Sequence, residues 1–255
     1  LAVVTARDIA DVQKPWPVKV PHPKLRAFPR YALPLEKVRY VGEAVAVVVA
    51  TSRYLAEDAR DLVEVAWEPL PAVATAAAAL APGAPLLHEE AGDNLAAHVV
   101  QRCGDVDAAL AGADHTLTET FRMVRGGGHS MEGRGLVARW DEALEAFTIW
   151  DATQAPHYVR RMLAHLFDLP EDRIRVIAPP DVGGGFGMKG DPYAEYAALL
   201  HAARALARPV RWVASRVESF LADTHGRDQI RKDPKNKDEA QNHGGRGDAD
   251  LERAR

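Results

Sequence analysis

VGGGFGMKG, Val182 to Gly190, lies between an apolar stretch, RIRVIAP, and an amphipathic one, DPYAEYAALLHAARALA. It limits the fold more than any other segment. Gly183, Gly184, Gly185 and Gly187 permit positive φ and close approach of another group, so successive N–H groups can point at oxygen atoms. Phe186 is displayed among them without bulky neighbours. RIRVIAP reads as a strand; the helix after the loop has Asp191 as its expected N-cap, Pro192 at N1, and Tyr196, Leu199, Leu200 and Ala203 facing inward. PVRWVASR supplies a further strand.

Two readings of the loop follow from the residues. GFGMKG, Gly185 to Gly190, satisfies the letters of the dinucleotide fingerprint, the strand, loop, helix, strand order fits, and Arg216 stands where a 2′-phosphate binder could lie. That reading requires a continuous parallel sheet. Against it, PPDVG separates the strand from the hexapeptide, the glycines begin at Gly183, and no acid ends the next strand. A Walker A loop is excluded because Gly190 follows Lys189 where a metal-binding hydroxyl is needed. The other reading is a backbone cradle for an anion or an oxo group, helped by the helix N-terminus that follows.

The rest of the chain divides by pattern. Val38 to Val73 reads as strand (Ala44 to Ala50), helix with Ser52 as N-cap, and strand with Val63, Val65 and Trp67 on one face, ended by Pro69 and Pro71. Thr75 to Asn94 is Ala-rich and Pro-punctuated and marks a linker. GADHTLTETFRMV and GLVARWDEALEAFTIWDAT are expected strands, with a turn from Asp141 to Leu144. QAPHYVRRMLAHLFDLP is a helix with Pro156 in its first turn and Val159, Met162, Leu163 and Leu166 on one face. From Gly226 onward only Ile230 and Leu251 are large and apolar among dense charges, too little to offset ordering entropy. The expected division is therefore 1–80, a linker at 81–94, 95–225, and a charged, disordered tail at 226–255.

Composition excludes several functions. A net charge of −4 without a basic, aromatic-laced stripe argues against a nucleic-acid surface. Cys103 is the only cysteine, so the chain holds no internal disulfide, thiolate zinc site or iron–sulfur ligand set. No stretch approaches the roughly 20 apolar residues of a membrane span, and a soluble, cytoplasmic protein is expected. Leu1 in place of Met suggests a fragment.

Five motifs, in order, carry a resemblance: VGEAVAVVVATSRYLAEDA, GDVDAALAGADH, HSMEGRG, TQAPH and VGGGFGMK. Over about Leu1 to Gln229 the chain resembles the molybdopterin-binding large subunits of the molybdenum hydroxylases, the xanthine dehydrogenase, aldehyde oxidase and aerobic carbon monoxide dehydrogenase family. The resemblance implies an α+β fold: a small α/β hammerhead-like domain, then the start of a mixed α+β molybdopterin-binding domain. It implies molybdenum on molybdopterin, as the cytosine dinucleotide, with Gln154 reaching an oxo ligand and Gly184, Gly185, Phe186 and Gly187 around the metal. An amide suits that task because it donates without a charge of its own. Gly190 stands where purine oxidisers carry an acid, which argues against purine oxidation and for the carbon monoxide dehydrogenase-like branch.

The resemblance further implies oxidation of a small carbon substrate with water as oxygen source, electrons leaving through an iron–sulfur small subunit and an FAD-binding medium subunit. The family's catalytic glutamate motif is absent and the familiar sequence stops after Arg227, Asp228 and Gln229, so a truncated subunit, inactive alone, is expected. The alternatives are an NAD(P)-binding dehydrogenase half-domain and a catalytically silent remnant that docks partner subunits.

Other polar groups have structural readings. Glu132 and Arg134 suit an ion pair, and His129 and His157 suit local hydrogen bonds since they lack the spacing of helical metal ligands. His88, Glu89 and Glu90 suit a solvated loop, and Cys103 an isolated thiol. Arg208 and Arg211 could reach a pterin phosphate, with exposed charge as the ordinary role.

Overall fold

The computed structural model describes residues 1–17, 22–101, 103–226 and 229–232. Its strands and helices run β1 Ala2–Thr5, β2 Ala46–Val49, α1 Arg53–Asp61, α2 Ala76–Ala79, α3 Val106–Ala111, β3 Thr120–Met123, β4 Gly135–Asp141 and β5 Ala146–Asp151. Then come α4 Pro156–Phe167, β6 Ile174–Ile177, α5 Ala194–Ala205, β7 Val210–Val213, α6 Arg216–Ala222 and β8 Gln229–Lys232.

Contacts group the chain into two compact units that do not follow linear order. The larger comprises Leu1–Pro17, Pro29–Pro69 and Gly127–His225. Its centre is a four-stranded sheet of order β6-β5-β4-β7. β5 and β6 are parallel, while β4 runs antiparallel to both β5 and β7. This is not the continuous parallel sheet that a dinucleotide half-domain requires, and the strand after the glycine loop does not lie beside the strand before it. The dinucleotide reading therefore fails on topology.

Alternation explains the strands. Leu136, Ala138, Phe147, Ile149, Ile174 and Val210 are buried on one face, as a period of two demands. α4 presents Val159, Met162, Leu163 and Leu166 to this face, all buried, and Pro156 sits at its start where no N–H is needed. The turn between β4 and β5 closes with the Leu144 N–H on Asp141 Oδ1 at 3.1 Å and Glu145 at φ 47°.

α5 contacts β4 and β7 and also the β1–β2 ribbon. Its buried residues are Glu195 to Leu200, Ala202 and Ala203, well beyond the single expected stripe. Val4, Ile9, Val12 and Val49 belong to the same apolar cluster as the sheet, so the first segment of the chain shares a core with residues far along it.

Two local expectations change and a third holds. Val63, Val65 and Trp67 form no strand and are 38%, 41% and 59% exposed, because alternation makes a strand only where a neighbour supplies the ladder. α5 starts at Ala194 with Tyr193 as N-cap, not at Asp191, since Met188–Gly190 form a separate 3₁₀ turn and the Tyr193 hydroxyl is engaged by donating to the Met188 carbonyl at 2.6 Å. α1 matches expectation: Ser52 caps it by accepting from the Leu55 N–H at 3.3 Å.

Among the described residues, the second unit comprises 22–28, 70–101, 103–126, 226 and 229–232. Thr75 and Asp105 cap α2 and α3, and β3 pairs antiparallel with β8. Phe28 stacks on His88 with ring centroids 4.7 Å apart. Of the expected tail, Gly226 bridges Gly126 and Gln229–Lys232 form β8. Residues 227–228 and 233–255 lie outside the described residues.

Candidate functional site

The end of β5 and the glycine loop meet. Beyond Asp151 the chain leaves the sheet, and Thr153 Oγ1 donates to the Lys189 carbonyl at 2.8 Å while accepting from the Ala155 N–H at 3.1 Å. That second bond fixes the backbone at Ala155, the N-cap residue, and α4 begins at Pro156, two residues after Gln154. The Gln154 N–H also donates to the Lys189 carbonyl, at 3.0 Å. Its side-chain Oε1 accepts from the Gly187 N–H at 3.0 Å. The carboxamide therefore lies against the loop.

The loop glycines answer to real neighbours. A Cβ on Gly185 would lie 2.3 Å from Gln154 Oε1, and one on Gly184 would lie 2.8 Å from the Phe186 ring and 3.0 Å from Ser130 Cβ. Gly184, Phe186 and Gly187 have φ of 92°, 49° and 88°. The left-handed backbone at Phe186 is costly for a residue with a Cβ and bulky side chain, and its ring is 72% exposed. Such a conformation places the ring without anchoring it.

The HSMEGRG segment forms the floor. Gly128 lies beneath Phe186, where a Cβ would come within 2.8 Å of Phe186 Cβ. Glu132 Oε2 accepts from the Gly183 N–H at 2.8 Å and from Lys189 Nζ at 2.6 Å. The Lys189 bond, aided by the Gly183 N–H, holds the Glu132 carboxyl below the ordinary carboxylate range against a smaller burial penalty. Arg216 donates to the Ser130 and Met131 carbonyls at 2.7 and 2.6 Å. It is thus a clamp on main chain, not a phosphate binder.

Glu132 and Arg134 do not pair with each other. Arg134, 2% exposed, lies 2.8 Å from Glu195 Oε1, hydrogen-bonds Asp223, and has its guanidinium 3.7 Å from the Tyr193 ring centre. Burial alone would lower its pKa, but the Glu195 and Asp223 carboxylates outweigh that and hold it above the ordinary arginine value.

The arrangement gathers donors with no internal acceptor. Among the described residues, the Gly185 and Phe186 N–H groups and Gln154 Nε2 donate to nothing. Hydrogen-bond donors concentrated beside an exposed aromatic ring suit an oxygen-rich group. No cluster of His, Cys, Asp and Glu able to hold a metal by itself occurs among the described residues.

Comparison with known proteins decides the family. Residues 87–232 match the family described as "Molybdopterin cofactor-binding domain", and residues 1–71 match "Aldehyde oxidase and xanthine dehydrogenase, a/b hammerhead domain". The chain belongs to the molybdopterin-binding large subunits of the xanthine dehydrogenase and carbon monoxide dehydrogenase family. Its fold is accordingly a hammerhead domain followed by the start of a cofactor-binding domain, of mixed helices and strands.

The nicotine 6-hydroxylase large subunit of Paenarthrobacter nicotinovorans is 38% identical over 76% of this chain and 23% of its own length. The carbon monoxide dehydrogenase large chain of Afipia carboxidovorans is 35% identical over 89% of this chain and 29% of its own. Quinoline 2-oxidoreductase from Pseudomonas putida 86 superposes with a TM-score of 0.82 at 34% identity, over 91% of this chain and 29% of that one. The chain thus spans about a quarter of the length of such relatives.

The remaining sequence candidates lie elsewhere. His129 packs edge-on against Phe220 and lies near His225, with ring centroids 4.4 and 5.8 Å apart. Arg208 is exposed, and Arg211 lines a cavity of about 320 Å³ with Val137, Trp150 and Val213 on the sheet face away from α4. His88 lies 3.4 Å from Glu90, and Cys103 is a free, exposed thiol. No helix among the described residues is long and apolar enough to cross a membrane. Gly128, Ser130, Thr153 and Lys189 were missed by sequence reasoning, although the glycine run at 126–128 just before HSMEGRG is a signal for close backbone approach.

Proposed function

We propose that this chain is part of a molybdenum hydroxylase large subunit and supplies one wall of its cofactor site. Gln154, Gly184, Gly185, Phe186 and Gly187 are the residues that hold the group, molybdenum on molybdopterin in its cytosine dinucleotide form. When bound, that group supplies two-electron oxidation of a carbon centre with an oxygen atom from water. The single observation that supports this reading is the meeting of Gln154 with the loop, where Oε1 accepts from Gly187 and leaves Nε2 without an internal acceptor.

The chain's residues have separable tasks. Gln154 Nε2 and the Gly185 and Phe186 amides bind and orient oxygen ligands by neutral donation, which adds no charge to a centre whose charge changes during turnover. Phe186 covers the site with an exposed ring, excluding water from one side. No residue of this chain takes the substrate proton in this reading. That base and the substrate pocket belong to the remainder of a complete subunit, and the electrons pass to iron–sulfur and FAD partners. The substrate is a small carbon compound outside the purines.

The test is direct binding. Cofactor released from a molybdenum hydroxylase is added to the full 255-residue chain, and retained pterin is read by fluorescence and molybdenum by mass spectrometry. Weak binding is expected, falling at least about tenfold in Gln154→Ala. Absence of binding, or equal retention by the variant, would overturn the assignment.

A further inference from the structure

Both ends of the glycine loop are tied to one oxygen atom. Glu132 Oε2 accepts from the N–H of Gly183 at the loop's entry and from Nζ of Lys189 at its exit. The Glu132 N–H faces the Gly183 carbonyl in return, at 3.4 Å. We propose that Glu132 and Lys189 are a positioning pair that sets the loop against Gln154 before any ligand arrives.

The chain of contacts is continuous. The Lys189 carbonyl receives both the Gln154 N–H and the Thr153 hydroxyl, so a shift of Lys189 is a shift of Gln154. Gln154 Oε1 in turn accepts from Gly187. Entry, exit and centre of the loop are thereby referred to one carboxylate. The anchor is itself held: the Ser130 hydroxyl donates to the Glu132 carbonyl at 2.6 Å, and Arg216 grips the two carbonyls before it.

The charge state enforces the pairing. The Lys189 side chain is 2% exposed and that of Glu132 37%. An ammonium withdrawn from water so completely needs an opposite charge in contact, and Glu132 is its salt-bridge partner among the described residues. The pair cannot separate without either exposing Lys189 or leaving it buried alone, and either movement drags the loop. A site held this way is preorganised by its supporting residues, where a loop of four glycines would otherwise sample many conformations.

The pair is a property of the chain without cofactor, and only its purpose rests on the function proposed above. The test therefore reads the loop directly. In the full chain labelled with ¹⁵N-glycine, hydrogen exchange at the Gly187 amide reports its bond to Gln154. Two variants separate positioning from simple structural support. Glu132→Gln with Lys189→Met together removes the tie at the loop's exit and leaves no buried charge, so the melting temperature should stay near that of the parent while Gly187 exchanges at least tenfold faster. Glu132→Asp keeps the charge beside Lys189 but is one methylene shorter, and should still quicken exchange at Gly187 severalfold.

Unchanged Gly187 exchange in Glu132→Asp, or in a folded double variant, would overturn the proposal. If the double variant fails to fold, Glu132→Asp decides alone. A loosened loop whose cofactor retention equals that of the parent would leave the positioning pair standing and count against the cofactor reading instead.

Discussion

Asp151→Asn should raise stability above about pH 7 and lower it slightly near pH 4, so that the two stability curves cross. Asp151 is 1% exposed, at the end of β5. Its Oδ1 accepts from the Tyr196 hydroxyl at 2.7 Å, while Oδ2 is buried without a hydrogen-bond partner. Burial pushes its pKa from 3.8 up to about 7, against the pull of the Tyr196 hydroxyl and the Arg134 and Lys189 charges. A carboxyl with a raised folded-state pKa favours folding when protonated. Its contribution is fully present below the unfolded value near 4 and is lost as pH rises to the folded value near 7.

At about 1.4 kcal/mol per unit, that displacement amounts to on the order of 4 kcal/mol. Asparagine keeps the shape and the Oδ1 acceptor and carries no charge, but places an NH₂ where Oδ2 lacks a partner, at about 1–2 kcal/mol. The net gain above pH 7 is then roughly 2–3 kcal/mol, and the net loss near pH 4 about 1–2 kcal/mol. Urea unfolding followed by tryptophan fluorescence between about pH 4 and 8 measures both, given an unchanged slope with denaturant. A difference between the two proteins that stays constant with pH would refute the reasoning, because Asp151 would then have the same charge in folded and unfolded chains throughout.

Two further outcomes are expected. Arg134→Met strands Glu195 and Asp223 as buried anions and should destabilise by about 3–5 kcal/mol, most of it recovered when Glu195→Gln and Asp223→Asn are added; a loss below about 1 kcal/mol in urea unfolding would mean water reaches the network. Gly185→Ala drives a Cβ to 2.3 Å from Gln154 Oε1, but Gln154 is exposed and can swing away. The fold should lose no more than about 1 kcal/mol, the worth of one hydrogen bond, while retained pterin falls about tenfold; full retention would show that the Gln154–Gly187 contact is not what holds the cofactor.

What could be read from the sequence was local and periodic. β4 and β5 were legible because alternation of apolar residues needs only a facing core, and α4 because Pro156 fixes where a helix can begin. The approach of Gln154 to the loop was legible through motif resemblance, since nothing periodic links positions 33 residues apart. The segment at Val63 to Trp67 was misread because alternation is necessary for a strand and insufficient without a partner.

Charged residues were the least legible, for a physical reason. Lys189 and Glu132 stand 57 positions apart, and a lysine reads the same in sequence whether it is solvated or 2% exposed against a carboxylate. Arg216 drew a phosphate-binding reading because a guanidinium suits anions, yet its five donors serve main-chain carbonyls equally well. The glycines signalled where the backbone must bend. What holds that bend still is supplied by Glu132 and Lys189, with Arg216 on the main chain before Glu132, and these partners are set by the fold and not by any spacing in the sequence. A loop whose mobility is intrinsic and whose rigidity comes from a charge pair can be altered at that pair without touching a glycine, and variants of Glu132 and Lys189 are for that reason more informative about the site than variants of the loop glycines.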